Sequence, residues 1–156
     1  MGDFLILKLH GPMQGWGEHT FEGNRPSANF PTRSGVLGLL GACLGIRRNE
    51  RERLQTLADS IGMAVRVDER CITRKDGTTS RLKAVKITDY HTIKDAREDY
   101  TGLKSHDTIQ TWREYLFDAE FTVVLWDQPN AALILDDVEK AVKCPYFTPY
   151  LGRRSC

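Results

Sequence analysis

FPTRSGVLGLLGACLGI, the stretch at residues 30–46, is the most informative part of this sequence for its architecture. Its glycines at 35, 38, 41 and 45 recur every three or four residues, which is the spacing of one helix face. Each glycine weakens a helix by roughly 1 kcal/mol relative to alanine. A row of glycines therefore indicates a helix that packs closely on a sheet, and Thr32 or Ser34 can cap its first turn. We predict a helix over residues 32–46.

The segments around this helix have the patterns of strands and of one further helix. Asp3–His10 (DFLILKLH) precedes it and is typical of a central strand. Glu50–Ile61 follows it with the period of an amphipathic helix. Met63–Cys71 and Leu82–Tyr90 alternate apolar and polar residues, and the Asp-Gly pair in Lys75–Thr78 favours a hairpin turn. These two segments are therefore predicted to pair as antiparallel strands.

The second half of the chain continues this order. Thr108–Leu116 is strand-like, and its alternation puts Ile109, Thr111, Arg113 and Tyr115 on one side. Phe121–Trp126 predicts a buried strand, and Leu133–Val142 predicts an amphipathic helix. Residues 91–107 have no sustained period, and a connection of that length is commonly functional. The order strand, helix, strand, strand, helix, with a possible last strand, predicts an α+β fold. The best match is a ferredoxin-like βαββαβ domain over residues 1–156.

Composition predicts a soluble globular protein. The chain has 156 residues, of which 40% are hydrophobic and 28% charged. Its longest apolar run, residues 36–46, is shorter than the roughly 20 residues of a membrane span, and Asp3 within the first apolar run predicts no signal peptide. The cysteines at 43, 71, 144 and 156 form no CxxC pair, so we expect reduced thiols, no zinc site and a cytoplasmic location.

Charge is unevenly distributed along the chain. The net charge is only +1, but residues 70–113 hold 10 basic and 6 acidic residues. Residues 114–139 hold 7 acidic residues and no lysine or arginine, and residues 140–156 hold 4 basic residues and no acid. Such segregation favours one surface that binds a polyanion and another that repels it or meets a basic partner. Chance clustering on a solvated surface is the alternative.

The entry to the predicted helix is the first candidate binding site. A helix N-terminus offers unpaired backbone N–H groups and a partial positive charge. Arg33 and Ser34 in the first turn, with Arg25 upstream, would complete a phosphate site there. The glycines are not a nucleotide-binding motif, because the segment lacks the lysine of a P-loop. Ordinary capping beside surface arginines is the alternative.

Two glycine-containing segments are further candidates. Trp16 in the loop GPMQGWG, residues 11–17, could stack on a base or fill the edge of the core. The tail segment YLGRR places Tyr150, Arg153 and Arg154 around a turn glycine, which suits contacts with backbone phosphates. A free charged tail is the alternative.

Residues 90–113 interleave basic and aromatic side chains. A basic groove with aromatic platforms is the chemistry of single-stranded RNA binding, and a solvated loop is the alternative. Some of the same residue types could instead supply acid and base groups for metal-free RNA cleavage. The basic and aromatic candidates in this segment are Tyr90, His91, Lys94, Arg97, Tyr100, Lys104, His106, Trp112 and Arg113.

The sequence resembles the CasD family of RAMP subunits, which belong to the type I-E CRISPR surveillance complex, Cascade. Seven strings that follow one another in the family's order carry this resemblance. They are GPMQGWG (11–17), FEGNRP (21–26), FPTRSGVLGLLGACLGI (30–46), DYHT (89–92), AREDY (96–100), LKSHDTIQTWREYL (103–116) and FTPYLGRRSC (147–156).

The resemblance implies an RRM-related, ferredoxin-like fold with a thumb inserted at about residues 90–113. It implies a non-catalytic subunit in antiviral defence that caps the 5′ handle of CRISPR RNA and contacts the subunits CasC and CasA. Such a subunit meets target DNA through the complex and needs no metal or organic cofactor. Together with the candidates above, the expected RNA-binding residues are Met13, Gln14, Trp16, Arg25, Arg33, Ser34, His91, Arg97, Lys104, His106, Trp112, Arg113, Tyr150, Arg153 and Arg154.

Two expectations qualify this resemblance. Related subunits of the type I-C system cleave repeat RNA with Tyr, Lys and His residues, so the alternative function is a metal-independent endoribonuclease that uses Tyr90, His91, Lys104 and His106. This sequence has Lys104-Ser105-His106 rather than an adjacent Lys-His pair, which disfavours cleavage. Family members usually continue past the YLGRRSC motif, so we expect the C-terminal half of the family to be absent from this chain.

Overall fold

A computed structural model of the chain describes residues 3–20, 23–82, 84–94 and 108–156. Within these ranges the chain forms eleven strands and three helices. The strands are β1 (Leu5–His10), β2 (Met13–Gln14), β3 (Trp16–Gly17), β4 (Asn24–Arg25), β5 (Ser27–Ala28), β6 (Ile61–Asp68), β7 (Arg70–Thr73), β8 (Thr79–Leu82), β9 (Val85–Lys94), β10 (Thr108–Phe117) and β11 (Glu120–Asp127). The helices are α1 (Arg33–Cys43), α2 (Arg51–Ser60) and α3 (Leu135–Lys143).

An antiparallel sheet with the strand order β1-β11-β6 carries the core. Leu7 lies opposite Val123, which in turn lies opposite Val65 on the third strand. Because side chains alternate between the two faces of a strand, the neighbouring odd-numbered residues share this face. Leu9, Phe121 and Leu125 are buried there together with Leu7 and Val123.

The position of β1 in this sheet corrects the predicted central strand. Among the described strands, β1 pairs only with β11, so it lies at the edge of the sheet and β11 lies in the middle. Leu7 and Leu9 are buried, but the side chain of Ile6 on the other face is 65% exposed. Apolar residues on both faces of β1 imitate the pattern of a central strand, which is why the sequence was misleading here.

The helix predicted over residues 32–46 is confirmed as α1. The backbone N–H of Gly35 donates a hydrogen bond to the Thr32 hydroxyl oxygen at 3.3 Å, which identifies Thr32 as the N-cap. Val36 and Leu40 are buried against the sheet core. A Cβ on Gly35 would lie 2.8 Å from the ring of Trp16, so this glycine permits the predicted close packing. The helices predicted over 50–61 and 133–142 are confirmed as α2 and α3.

A second sheet is built around β10. β9 pairs antiparallel along its whole length with β10, β2 pairs antiparallel with β10 at Leu116–Phe117, and β4 pairs parallel with it at Trp112–Arg113. The prediction that residues 82–90 pair with residues 63–71 is therefore wrong. The Asp-Gly hairpin does form, but it joins only the short strands β7 and β8.

The predicted ferredoxin-like topology is not confirmed, although the fold mixes helices with antiparallel sheets as expected. Residues 144–156, all of them described, contain turns and no strand, so the possible last strand of the βαββαβ order is not found there. The connection predicted over residues 91–107 also differs from the expectation, because residues 91–94 belong to β9. Residues 95–107 lie outside the described residues. None of the helices in the described ranges has the length and apolar character required to cross a bilayer.

The tail, residues 144–156, packs back onto the glycine-rich loop and the end of α1. The N–H groups of Tyr146 and Phe147 donate to the carbonyl oxygens of Cys43 and Ala42, each at 3.0 Å. The tail also accepts a hydrogen bond from Gly15 N–H at the carbonyl of Leu151, at 3.0 Å. Gly152 adopts a positive φ of +95°, and a side chain there would overlap the carbonyl oxygen of Gly15. Glycine is therefore required at this crossing of two backbones.

Candidate nucleic-acid interface

A cavity of about 820 Å³ lies between residues 17–20, residues 25–26, the β9–β10 pair and the tail. Five arginines and a histidine line it, and Glu18 is its one carboxylate among the described residues. We call it the arginine pocket. Its lining is Gly17, Glu18, Thr20, Arg25, Pro26, Arg48, His91, Arg113, Gly152, Arg153, Arg154 and Ser155.

Strand pairing brings distant parts of the chain to this pocket. The parallel register of β4 with β10 places Arg25 beside Arg113. The antiparallel register of β9 with β10 places His91 opposite Thr111, so that His91 and Arg113 lie on the same face of the pair. The alternation of residues 108–116 predicted this face of the strand.

Arg153 holds the pocket together. Its Nη1 donates to the carbonyl oxygen of Glu114 at 2.9 Å, and its Nη2 donates to the carbonyl oxygen of Arg25 at 2.8 Å. Its guanidinium also lies 4.9 Å from the centroid of the buried Tyr115 ring. These contacts join the tail to β4 and β10. Arg153 was predicted to contact RNA, but in this structure it uses these donors within the chain.

The other four arginines that line the pocket have few polar partners among the described residues. Arg25, Arg48 and Arg154 are exposed, and none of their side chains makes a hydrogen bond or ion pair with a described residue. Arg113 is half-buried and donates through Nε to the Thr111 hydroxyl at 3.2 Å. Like charges gathered in one cavity repel each other unless an anion enters, so the pocket suits a phosphate-bearing ligand.

His91 is the only predicted acid–base candidate that lines this pocket within the described residues. Its Nε2 lies 2.7 Å from Asp89 Oδ2, a close approach without the alignment of a hydrogen bond. Tyr90 lies on the opposite face of β9, where its ring centroid is 5.5 Å from that of Trp112. Tyr90 and Trp112 are 51% and 45% exposed, so this pair forms a separate aromatic surface.

The glycine-rich loop contributes to the core rather than to a surface. Gln14 and Trp16 were expected to contact RNA, but both side chains are fully buried in this structure. Gln14 Nε2 donates to the carbonyl of Ala119 at 2.7 Å, and Trp16 Nε1 donates to Gln14 Oε1 at 3.0 Å. Trp16 therefore takes the alternative role of filling the core. Met13 is half-buried beside them.

The predicted phosphate site at the start of α1 is not formed by Arg33. Its Nη2 donates to the carbonyl oxygens of Ala58 and Ile61, at 2.7 and 2.9 Å. Arg33 thus satisfies backbone acceptors at the end of α2, and the sequence could not show that this donor is already used. Ser34 is exposed and lies outside the arginine pocket.

A second cavity, which we call the α1 groove, adjoins the arginine pocket. Its volume is about 780 Å³, and it shares Arg48 and Gly152 with the pocket. Tyr150, which was predicted to bind RNA, lines this groove and is 37% exposed. The complete lining is Ser34, Gly35, Leu37, Gly38, Leu39, Gly41, Ala42, Ile46, Arg48, Leu54, Phe147, Thr148, Tyr150 and Gly152.

Arg48 was not predicted from the sequence, and three other candidates have no assigned position. The available signal for Arg48 was the tandem Arg47-Arg48 directly after the glycine-rich helix. Arg97, Lys104 and His106 lie outside the described residues. In the part of the chain that is described, no group of three or more His, Cys, Asp or Glu side chains is arranged to hold a metal ion.

The open face of the main sheet is a poor candidate for RNA, because its cations are already paired. Lys8 Nζ lies 3.0 Å from Asp68 Oδ2 and 2.6 Å from Glu120 Oε1, and Arg66 Nε lies 2.6 Å from Asp68 Oδ1. The hydroxyl of Thr122 donates to Asp68, and this bond together with Lys8 and Arg66 lowers the pKa of that carboxyl to about 2. The network therefore stays ionised at neutral pH.

Comparison with known proteins agrees with the resemblance. Residues 4–156 match the family described as CRISPR-associated protein (Cas_Cas5). The chain is 58% identical over all 156 residues to the CRISPR system Cascade subunit CasD of Escherichia coli (strain K12), and it covers 67% of that protein.

Two solved structures are similar in fold and in sequence. One is a chain of a CRISPR RNA-guided surveillance complex, with a TM-score of 0.69 and 34% identity. The other is described as a crystal structure of a Cas protein, with a TM-score of 0.60 and 31% identity. Each match covers 98% of this chain, which spans only 58% of either matched chain. The chain therefore belongs to the Cas5 family of CRISPR-associated proteins.

Proposed function

We propose that this protein binds the 5′ handle of CRISPR RNA in the arginine pocket and caps the backbone of a Cascade complex without cutting the RNA. The observation that carries the proposal is the set of guanidinium groups of Arg25, Arg48 and Arg154, which have no partner among the described residues. The 58% identity to a protein named as a Cascade subunit supports the biological setting.

The chemistry of the pocket supports an extended, phosphate-bearing strand as the ligand. Arginine forms paired hydrogen bonds with phosphate oxygens, and several arginines in one cavity can follow consecutive phosphates. Gly17 lies on the pocket wall, and a Cβ there would meet no atom within 4 Å. A backbone without a side chain lets the ligand approach closely at that point.

The distribution of charge supports the orientation of the protein in a complex. The acidic segment 114–139 includes Asp136 and Asp137 in the exposed first turn of α3. We propose that this side faces away from RNA and that the neighbouring subunits CasC and CasA pack around the protein. Base pairing by the guide would then select target DNA. A cytoplasmic location and a single RAMP-type domain with a thumb over residues 90–113 remain part of this proposal.

The arrangement of the acid–base candidates favours binding over cleavage. Tyr90 and His91 lie on opposite faces of β9, so their side chains do not converge on one reacting bond in the described part of the chain. No specific observation favours the endoribonuclease alternative. It is kept as an outcome of the test, since Lys104 and His106 are outside the described residues.

The test is an incubation of the full chain with end-labelled repeat RNA in EDTA, analysed on native and denaturing gels. We expect intact RNA with slower mobility and an affinity that falls with salt. The variant Arg25→Gln/Arg113→Gln should reduce the slope of log affinity against log salt by about 0.7 for each phosphate that is no longer neutralised. Arg51→Gln, the same change on exposed α2, is the control and should keep the slope.

Two results would contradict the proposal. Equal salt slopes for the pocket variant and the Arg51→Gln control would show that the arginine pocket does not bind the RNA. If the unmodified protein shortens the RNA and the His91→Ala variant does not, the protein is a nuclease instead.

A further inference from the structure

We propose that the α1 groove binds the unstacked base of a nucleotide adjoining the phosphates held in the arginine pocket. The protein would then read one base as well as the RNA backbone. This inference rests on the proposed function, because it starts from an RNA strand in the arginine pocket.

The groove has the size and walls of a small-ligand site. Its volume of about 780 Å³ is within the range of pockets that enclose small molecules. Leu37 and Gly38 of α1 form one side, and Phe147 and Tyr150 of the tail line it as well. Aromatic side chains in such a position offer stacking surfaces to a flat base.

The glycine at position 38 is evidence that this groove is a binding site and not an ordinary packing defect. A Cβ on Gly35 would meet the Trp16 ring, and a Cβ on Gly41 would meet Leu54, but a Cβ on Gly38 would meet nothing within 4 Å. Glycine weakens a helix, and no described residue explains its use at position 38. A flat ligand lying against the helix backbone would explain it.

The α1 groove is continuous with the arginine pocket, which indicates that its ligand is part of a nucleotide. Arg48 and Gly152 line both cavities, and the Arg48 guanidinium has no partner among the described residues. One nucleotide could therefore place its phosphate at Arg48 and its base in the groove. One arginine, Arg48, lines the groove itself, and four more line the adjoining arginine pocket, which favours a polyanion over a neutral or basic peptide as the ligand that spans both cavities.

An abasic scan tests this inference. The full chain is titrated with repeat RNA oligonucleotides that each lack one base but keep the backbone, and the affinity is followed by fluorescence anisotropy. In the unmodified protein, one abasic position should weaken binding about tenfold, as expected when the stacking of one base is removed. Gly38→Leu, which fills the groove, should bind intact RNA about tenfold more weakly and should no longer respond to that abasic position.

Two further variants make the result independent of folding. Tyr150→Ala removes one stacking surface from an exposed position and should reduce the response to the same abasic position. Gln55→Leu places a leucine on an exposed part of α2, outside the groove, and should respond as the unmodified protein does. Thermal unfolding of every variant shows whether the chain remains folded.

The outcomes separate the two proposals. If the arginine variants weaken binding but Gly38→Leu and Tyr150→Ala respond to every abasic position as the unmodified protein does, the groove inference alone is wrong. If the arginine variants bind RNA normally, the proposed function fails and the groove inference fails with it. If Gly38→Leu keeps its RNA response but no longer associates with CasC, the groove holds a protein segment, which also overturns the inference.

Discussion

Replacing Arg153 with lysine tests whether this one side chain joins the tail to β4 and β10. The guanidinium donates to the carbonyls of Glu114 and Arg25 at 2.9 and 2.8 Å and lies over Tyr115. A lysine keeps the charge but cannot reach both carbonyls with a planar fork. A hydrogen bond from a charged donor contributes about 1.5–3 kcal/mol, so losing one should lower the free energy of unfolding by about 2 kcal/mol.

The measurement is urea unfolding of the unmodified chain and of Arg153→Lys, followed by tryptophan fluorescence. Thermal unfolding should show a decrease of roughly 4–8 °C in Tm for a chain of this size. Arg154→Lys is the matched control, because the neighbouring guanidinium is exposed and bonds to no described residue, and its effect should stay within about 0.5 kcal/mol. Equal unfolding midpoints for the two variants would refute the structural role of Arg153.

Three further changes have expected effects on stability. Gly152→Ala should destabilise the chain by about 2 kcal/mol or more in urea unfolding, because φ is +95° and the new Cβ would overlap the Gly15 carbonyl. Trp16→Phe should cost about 1–3 kcal/mol, since it leaves buried Gln14 Oε1 without its donor, whereas a decrease of less than about 0.5 kcal/mol would contradict this role. The folded-state pKa of Asp68 is lowered to about 2 from 3.8, so its stabilisation is present above pH 3.8 and is lost as pH falls towards 2. Asp68→Asn should therefore reduce the fall in Tm over that range, and an unchanged pH profile would argue against the network.

Local patterns were sufficient to predict much of the fold. Thr32 and the following glycines predicted the start and packing of α1, and the alternation in residues 108–116 predicted β10 and its faces. Pairing was harder, because a period of two identifies a strand but not its partner. Residues 82–90 were therefore assigned to the wrong neighbour. The edge position of β1 was missed because Ile6, although exposed, extends its apolar run.

The candidate site was predicted in part. Arg25, Arg113 and Arg154 were named from the sequence and lie together in the arginine pocket. Residue type alone could not show that the side-chain donors of Arg33 and Gln14 already bond to carbonyl groups within the chain. Their partners are backbone carbonyls that any residue could supply, so no side-chain pattern marks them.

The bond between Arg153 and the Arg25 carbonyl spans 128 residues of sequence, so the arginine pocket depends on contacts between distant parts of the chain. No short contiguous fragment of the chain contains both walls of the pocket, so a partly folded chain holds no preformed site. Fraying of the tail alone would separate Arg153 and Arg154 from Arg25 and open the pocket. RNA binding should therefore report the integrity of the whole chain, and a bound strand should hold the tail in place against exchange of its amide hydrogens.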